Sequence, residues 1–190
     1  MSTQEYVSTG KPKIGGAIYH APAGTTLPTS ATSTLGSAFE NLGYVSEDGL
    51  VNSNTAETTD LKAWGGDTVK KSQTGKTDTF QATFIEAMNE AVLKAGYGSE
   101  NVSGSLQSGL TIRANSKELD TGVWVFDMIL GDYIKRIVIA KGQVTEVGDI
   151  TYKDDELIGY PFTIAAYPGG WADTTDQDTH KEYIVKSATS

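Results

Sequence analysis

"TDTFQATFIEAMNEAVLKAGYG", residues 77–98, changes its period half-way. Phe80, Ala82 and Phe84 alternate with Thr79, Gln81 and Thr83, which puts apolar side chains on one face of a strand and polar ones on the other. From there the spacing becomes three and four. Ile85, Met88, Val92 and Ala95 form one stripe, predicting an α-helix over about 84–95. Thr83 and Glu86 stand at capping-box spacing. Glu90 and Lys94 make a favourable i,i+4 pair, and Gly96 or Gly98 closes the helix. No other segment has a convincing helical period.

Around this strand–helix junction the pattern is β. "TGVWVFDMILG" (121–131) is apolar on both faces: Val123, Val125 and Ile129 on one, Trp124, Phe126, Met128 and Leu130 on the other. Such a strand belongs in the middle of the fold, covered on both sides. "SGLTIRAN" (108–115), "YIKRIVIAKG" (133–142) and "KEYIVK" (181–186) read as further strands, and "GQVTEVGDITYKDD" (142–155) as a strand and turn. "ELIGYPFTIAAYPGGW" (156–171) puts Ile158, Tyr160, Phe162 and Ile164 on one face, with Pro161 arguing for an edge or bulged position.

Before the junction, "IGGAIYHAP" (14–22) is a short strand and "AGTTLPTSATST" (23–34) a turn-rich connection. "AFENLGYV" (38–45) and "DGLVNSN" (48–54) flank a turn at 46–48. Residues 52–76 show little periodicity. So long an irregular stretch is either a functional arm or conceals short strands such as "TDLKAW" and "DTVKKS". The expected fold is mainly β (α+β). Two packed antiparallel sheets form a sandwich or half-barrel, with one flanking helix and a long extended loop, in a single domain over 1–190. Residues 1–13 are expected to be a flexible arm, and 173–190 a polar C-terminal arm with one possible strand.

Composition narrows the function. The 190 residues carry 15 Lys+Arg against 24 Asp+Glu, a net charge of −9. A protein that grips nucleic acid leans basic, because it must neutralise phosphates. Cysteine is absent, which removes disulfides, thiolate metal sites and a Cys nucleophile. No run reaches the roughly 20 apolar residues of a membrane span, so no membrane insertion is expected. "MSTQEYVSTGKPKIGG" has no apolar core of a signal peptide, which points to synthesis and folding in the cytoplasm.

Chemical motifs fail on inspection. Gly75-Lys76-Thr77 resembles the end of a phosphate loop, but Lys70 stands where the first glycine is required and a strand follows instead of a helix. His20 and His180 have no zinc-binding or triad spacing, so no catalytic residue, metal or cofactor is assigned. His20 reads as an ordinary strand-end residue. Asp173, Asp176 and Asp178 do not follow EF-hand spacing and read as a solvated acidic loop in preference to a weak calcium site. "NVS" at Asn101 matches a glycosylation acceptor by chance.

The order of phrases carries more information. "GAIYHAPAGTTLPTSATSTLGSAFENLGYVSEDGL", the polar arm "ETTDLKAWGGDTVKKSQTGKTDTF" and the strand–helix "FQATFIEAMNEAVLKAGYG" follow one another before a β-rich remainder. Over about 14–167 the chain resembles the major tail tube proteins of long, non-contractile-tailed (siphovirus-type) bacteriophages. The resemblance implies a structural virion protein that assembles into stacked hexameric rings, forming a hollow conduit for double-stranded DNA. It implies that the long loop reaches a neighbouring subunit or ring. The partners expected are other copies of the chain, the tape measure, tail terminator and distal tail proteins, and DNA in transit without specific binding.

On that basis Leu61, Trp64, Gly65, Gly66, Asp67 and Val69 are candidates for inter-subunit contact, Trp64 as an apolar anchor on a polar arm. Glu146, Asp149, Asp154, Asp155 and Glu156 are candidates for an acidic lumen or surface. Over 144–178 acids heavily outnumber the one base, Lys153, and like charge keeps DNA from adhering. Two alternatives share features with this expectation. One is a ring protein of a contractile injection or secretion system. The other is a monomeric carbohydrate-binding β-sandwich using Trp64 and Trp171.

Overall fold

The computed structural model describes residues 6–13, 15–172 and 177–187. The strands are β1 (Gly10–Pro12), β2 (Ile18–Pro22), β3 (Glu40–Asn41), β4 (Val45–Lys62) and β5 (Thr68–Phe84). After helix α1 (Glu90–Tyr97) come β6 (Val102–Ser105), β7 (Gly109–Ile112), β8 (Gly122–Leu130), β9 (Tyr133–Val147), β10 (Tyr160–Ala166) and β11 (Lys181–Lys186). Nine strands form one antiparallel sheet in the order β3-β2-β8-β9-β10-β5-β4, with β1 added to β8 and β11 to β9; β6 and β7 make a separate hairpin.

β9 converts this one sheet into two layers. Its first part pairs with β8 and β11, as in Trp124 with Ile139 and Lys181 with Val138. Its second part pairs with β10, from Gly142 with Ala166 to Val147 with Phe162. At the corner, a Cβ on Gly142 would come within 2.6 Å of the Trp124 ring, so the bend needs glycine. The first layer is β3-β2-β8-β9 with β1 and β11. The second is the end of β9 with β10, β5 and β4. Phe80 of β5 stacks on Phe126 of β8 across the gap at 5.3 Å, and Trp124, Ile139, Phe84, Phe162 and Ile164 are buried with them. Each such side chain contributes about 1.5–3 kcal/mol when fully buried. α1 closes the core with Val92 and Leu93. The fold is a mainly β sandwich, open at its sides, with one helix. Among the described residues no helix is long and apolar enough to cross a membrane.

The alternation at 79–84 is present as expected: Phe80, Ala82 and Phe84 are buried while Gln81 is exposed. The helix, however, starts at Glu90 and not near 84. Phe84 is held in the strand by its contact with the Phe162 ring at 5.0 Å, and Asn89, not Thr83, caps the helix through the backbone N–H of Ala91. Glu86 instead accepts the Tyr44 N–H at 3.0 Å, and Met88, outside the helix, is exposed. Glu90 and Lys94 pair at 3.9 Å, and Gly98 ends the helix at φ 89°.

Other boundaries also move. Residues 52–76 conceal strands, the second of the two expected readings: "TDLKAW" and "DTVKKS" fall at the end of β4 and the start of β5, which are longer than expected and pair as most of a β-hairpin, while the expected turn at 46–48 is a register shift inside β4. Residues 10–12 of the presumed flexible N-terminal arm form a strand on the free stretch 128–130 of β8. β10 is internal, between β9 and β5, despite Pro161. The proline carbonyl accepts the Gly148 N–H, so its own nitrogen faces the same side, where β9 has already ended and no donor is needed.

β8 is covered on both faces. Its second face, with Val123 and Val125, packs with Ala21 and Val138 under Leu27, Leu35 and Phe39 of the 23–39 connection. Asp127 interrupts that face and is buried against Arg136. The Arg136 Nε and Nη2 donate to the two carboxylate oxygens at 2.6 and 2.7 Å, and its Nη1 donates to the Ser33 carbonyl at 2.6 Å.

His20 lies against Trp124, ring centroids 4.6 Å apart, and burial pushes its pKa from 6.5 down to about 4. Between these values the unfolded chain takes up a proton that the folded chain refuses, so stability falls as pH drops through this window. We expect up to about 3 kcal/mol to be lost between neutrality and pH 4. Urea titrations at a series of pH values should show this slope in the parent chain and not in His20→Gln.

Candidate assembly surface

β4 and β5 pair from Val45 with Phe84 out to Lys62 with Thr68. β10 accompanies β5 only between Phe84 and Thr79. Beyond Thr79 the hairpin projects as a two-stranded ribbon, roughly 35 Å long at about 3.3 Å per residue. Its side chains have no buried face: every residue from 51 to 71 is exposed. This explains why periodicity did not reveal it. Alternation appears only where one face leaves water.

The end of the ribbon gathers the predicted contact residues. Gly65 and Gly66 turn the chain at φ 124° and 98°, while the Ala63 N–H donates to the Asp67 carbonyl at 2.8 Å. Trp64 is fully exposed, and Leu61 and Val69 beside it are 47% and 67% exposed. Trp64 therefore does not fold back onto its own core. Lys71 pairs with Asp60 at 3.4 Å, whereas Lys62 and Lys70 have no ion pair among the described residues.

A cluster that the sequence did not announce fixes the root of the ribbon. Asp78 is buried and accepts hydrogen bonds from Asn52 Nδ2 at 2.9 Å and from Thr179 Oγ1, and its Oδ2 lies 2.6 Å from His180 Nδ1. Burial pushes the Asp78 carboxyl up. The hydrogen bonds from Thr179, Asn52 and His180 outweigh it and hold the pKa below the usual carboxylate value. The His180 ring meets Phe80 edge-on at 5.2 Å. Asp78 and His180 are 102 residues apart, so no local spacing could have signalled the pair.

The predicted acids divide. Glu146 shares the outward face of the second layer in a cross-strand row with Thr163, Gln81 and Val51. A groove of about 330 Å³ runs along this face beside Asp48 and Gly49. Asp149, Asp154, Asp155 and Glu156 are exposed in the loop 148–159, at the Phe84 end of the layer. Asp173 and Asp176 lie outside the described residues. Asp178 sits 3.5 Å from Lys181 Nζ and accepts the Trp171 indole N–H on its carbonyl at 2.8 Å. Trp171 packs on the second core cluster with the Lys181 ammonium over its ring, so it is not the bare platform a sugar would stack on.

The second layer has two free edges. Among the described residues the outer edge of β4 is unpaired, and past Gly142, paired with Gly122, β9 has no partner on its far side through 147. A family model described as phage tail tube protein matches residues 12–182.

The chain belongs to the phage tail tube proteins.

It is thus a structural subunit of a viral tail. Among solved structures, the tail tube protein is similar to one described as "Tail of empty GTA particle computed with helical refinement, C6 symmetry". The TM-score is 0.41 and the identity 12%, over 78% of this chain and 88% of that one. No curated protein sequence matches.

Proposed function

We propose that this tail tube protein polymerises with itself into stacked rings, six copies to a ring, enclosing a channel through which double-stranded DNA leaves the virion. The observation that carries this is the ribbon. An isolated two-stranded hairpin is marginal in water, and one that exposes Trp64, Leu61 and Val69 gains stability only by burying them on another chain. The role is structural, not catalytic. Assembly takes place in the host cytoplasm, and the tape measure, tail terminator and distal tail proteins are its neighbours in the tail.

The free edges supply the ring contact. Unpaired strand edges are templates for pairing, and the β4 edge of one copy placed against the β9 edge of the next would join the second layers into a continuous wall. The outward row of Glu146, Thr163, Gln81 and Val51 then faces the channel. Hydroxyl, amide and acidic groups offer DNA phosphates no cationic partner, so DNA slides without adhering.

Electron microscopy of concentrated pure protein tests this reading: rings or tubes of uniform width are expected. A monomer at every concentration, with and without tail partners, would overturn it. Trp64→Ala should raise the concentration needed for tube growth roughly 30-fold, since truncating an interface anchor costs about 2 kcal/mol.

A further inference from the structure

We propose that the hairpin tip of one copy docks on the loop 148–159 of a copy in the next ring. This rests on the tube reading above and names the surface that receives the ribbon. Three observations converge on it.

The loop, "GDITYKDDELIG", exposes two large apolar side chains, Tyr152 at 69% and Leu157 at 77%. Solvation of an acidic loop does not call for them. The hairpin tip shows the same anomaly, with Trp64, Leu61 and Val69 exposed on a polar ribbon.

The charges are complementary. The chain as a whole is acidic, yet residues 52–76 hold four lysines (Lys62, Lys70, Lys71, Lys76) against Glu57, Asp60 and Asp67. The loop holds Asp149, Asp154, Asp155 and Glu156 against Lys153, which is itself paired with Glu156 at 2.9 Å. Lys62 and Lys70 at the tip and Asp149, Asp154 and Asp155 in the loop have no ion pair among the described residues. Asp67 at the tip has no ion pair among the described residues either, so the unpaired groups leave the tip net positive and the loop wholly negative, each beside an apolar centre.

The two surfaces lie at opposite ends of the same strands. Tyr160, where the loop enters β10, pairs with Phe84, while the ribbon leaves the layer beyond Thr79, opposite Ala165. The tip therefore cannot reach the loop of its own chain. A copy displaced along the strand direction brings its loop towards the tip. Such a head-to-tail contact repeats without closing and generates an open filament.

Charge reversal with rescue tests the contact. Asp154→Lys, Asp155→Lys and Glu156→Lys together should raise the concentration needed for tube growth at least tenfold. Lys62→Glu, Lys70→Glu and Lys71→Glu together should do the same. The chain carrying all six should grow within about threefold of the parent. All six sites are exposed, so unchanged circular dichroism and urea midpoints confirm that each variant folds. As a second measurement, the parent chain has no cysteine, so a thiol cross-linker acting on tubes of Asp67→Cys/Asp155→Cys should give a covalent ladder. Neither single variant should give one. Tubes that grow normally with the reversed loop, a six-site chain no better than either triple, or tubes without a ladder would overturn the contact and leave the tube reading standing. A parent chain that never assembles would overturn the tube reading itself.

Discussion

A chain lacking residues 58–72 is expected to fold and to remain monomeric at concentrations where the parent grows tubes. The register makes this deletion conservative. Glu57 pairs with Gly75, so joining Glu57 to Gln73 leaves Gln73 and Thr74 as a two-residue hairpin loop. Setting these two as Asn-Gly supplies the turn type that such hairpins favour. Residues 58–71 are exposed and none belongs to either core cluster, so the unfolding free energy from urea titration should stay within about 1 kcal/mol of the parent. Assembly should be abolished, because the deletion takes Leu61, Trp64, Val69 and three lysines together. Sedimentation velocity and electron microscopy read the outcome. Tubes of normal width from the shortened chain would remove the ribbon from assembly.

Arg136→Ala should damage folding as much as truncating a buried core aromatic, costing about 3–5 kcal/mol. The change leaves Asp127, with its side chain 1% exposed, facing only Lys13 at 3.4 Å. It also strips the Ser30 and Ser33 carbonyls of their donor, so the 23–39 segment loses its tether over Val123 and Val125. Against a typical stability of about 5–15 kcal/mol, such a loss brings the protein close to unfolding at ambient temperature. Lys135→Ala is the control. It removes a partly exposed pair with Glu182 at 2.8 Å and should cost under about 1 kcal/mol by urea denaturation.

How much could be read in advance follows from where the physics is local. The alternation of Phe80, Ala82 and Phe84 and the two apolar faces of β8 were legible because burial writes a period into neighbouring residues. Trp64 stood out because an indole on a polar stretch has no local reason to be there. The hairpin was legible only as two short candidate strands in an otherwise unexplained segment, since strands exposed on both faces carry no period. The Asp127–Arg136 pair was implicit in the two-residue turn at 131–132, which sets β8 against β9, whereas Asp78 and His180 are 102 residues apart with no shared turn to fix their spacing.

The sequence by itself determined a mainly β chain, the one helix, the strand that would lie at the centre and the net negative charge. These follow from side-chain partition and net charge, which need no knowledge of what packs where. Tertiary structure decided the rest. It ended the strand at Phe84 and delayed the helix to Glu90, because the Phe162 ring holds Phe84 in the core. It folded one sheet into two layers at Gly142, where the close approach of Trp124 leaves no room for a side chain. It also placed the ribbon and the acidic loop at opposite ends of the same strands, because antiparallel pairing fixes which ends meet, and no single strand records that arrangement.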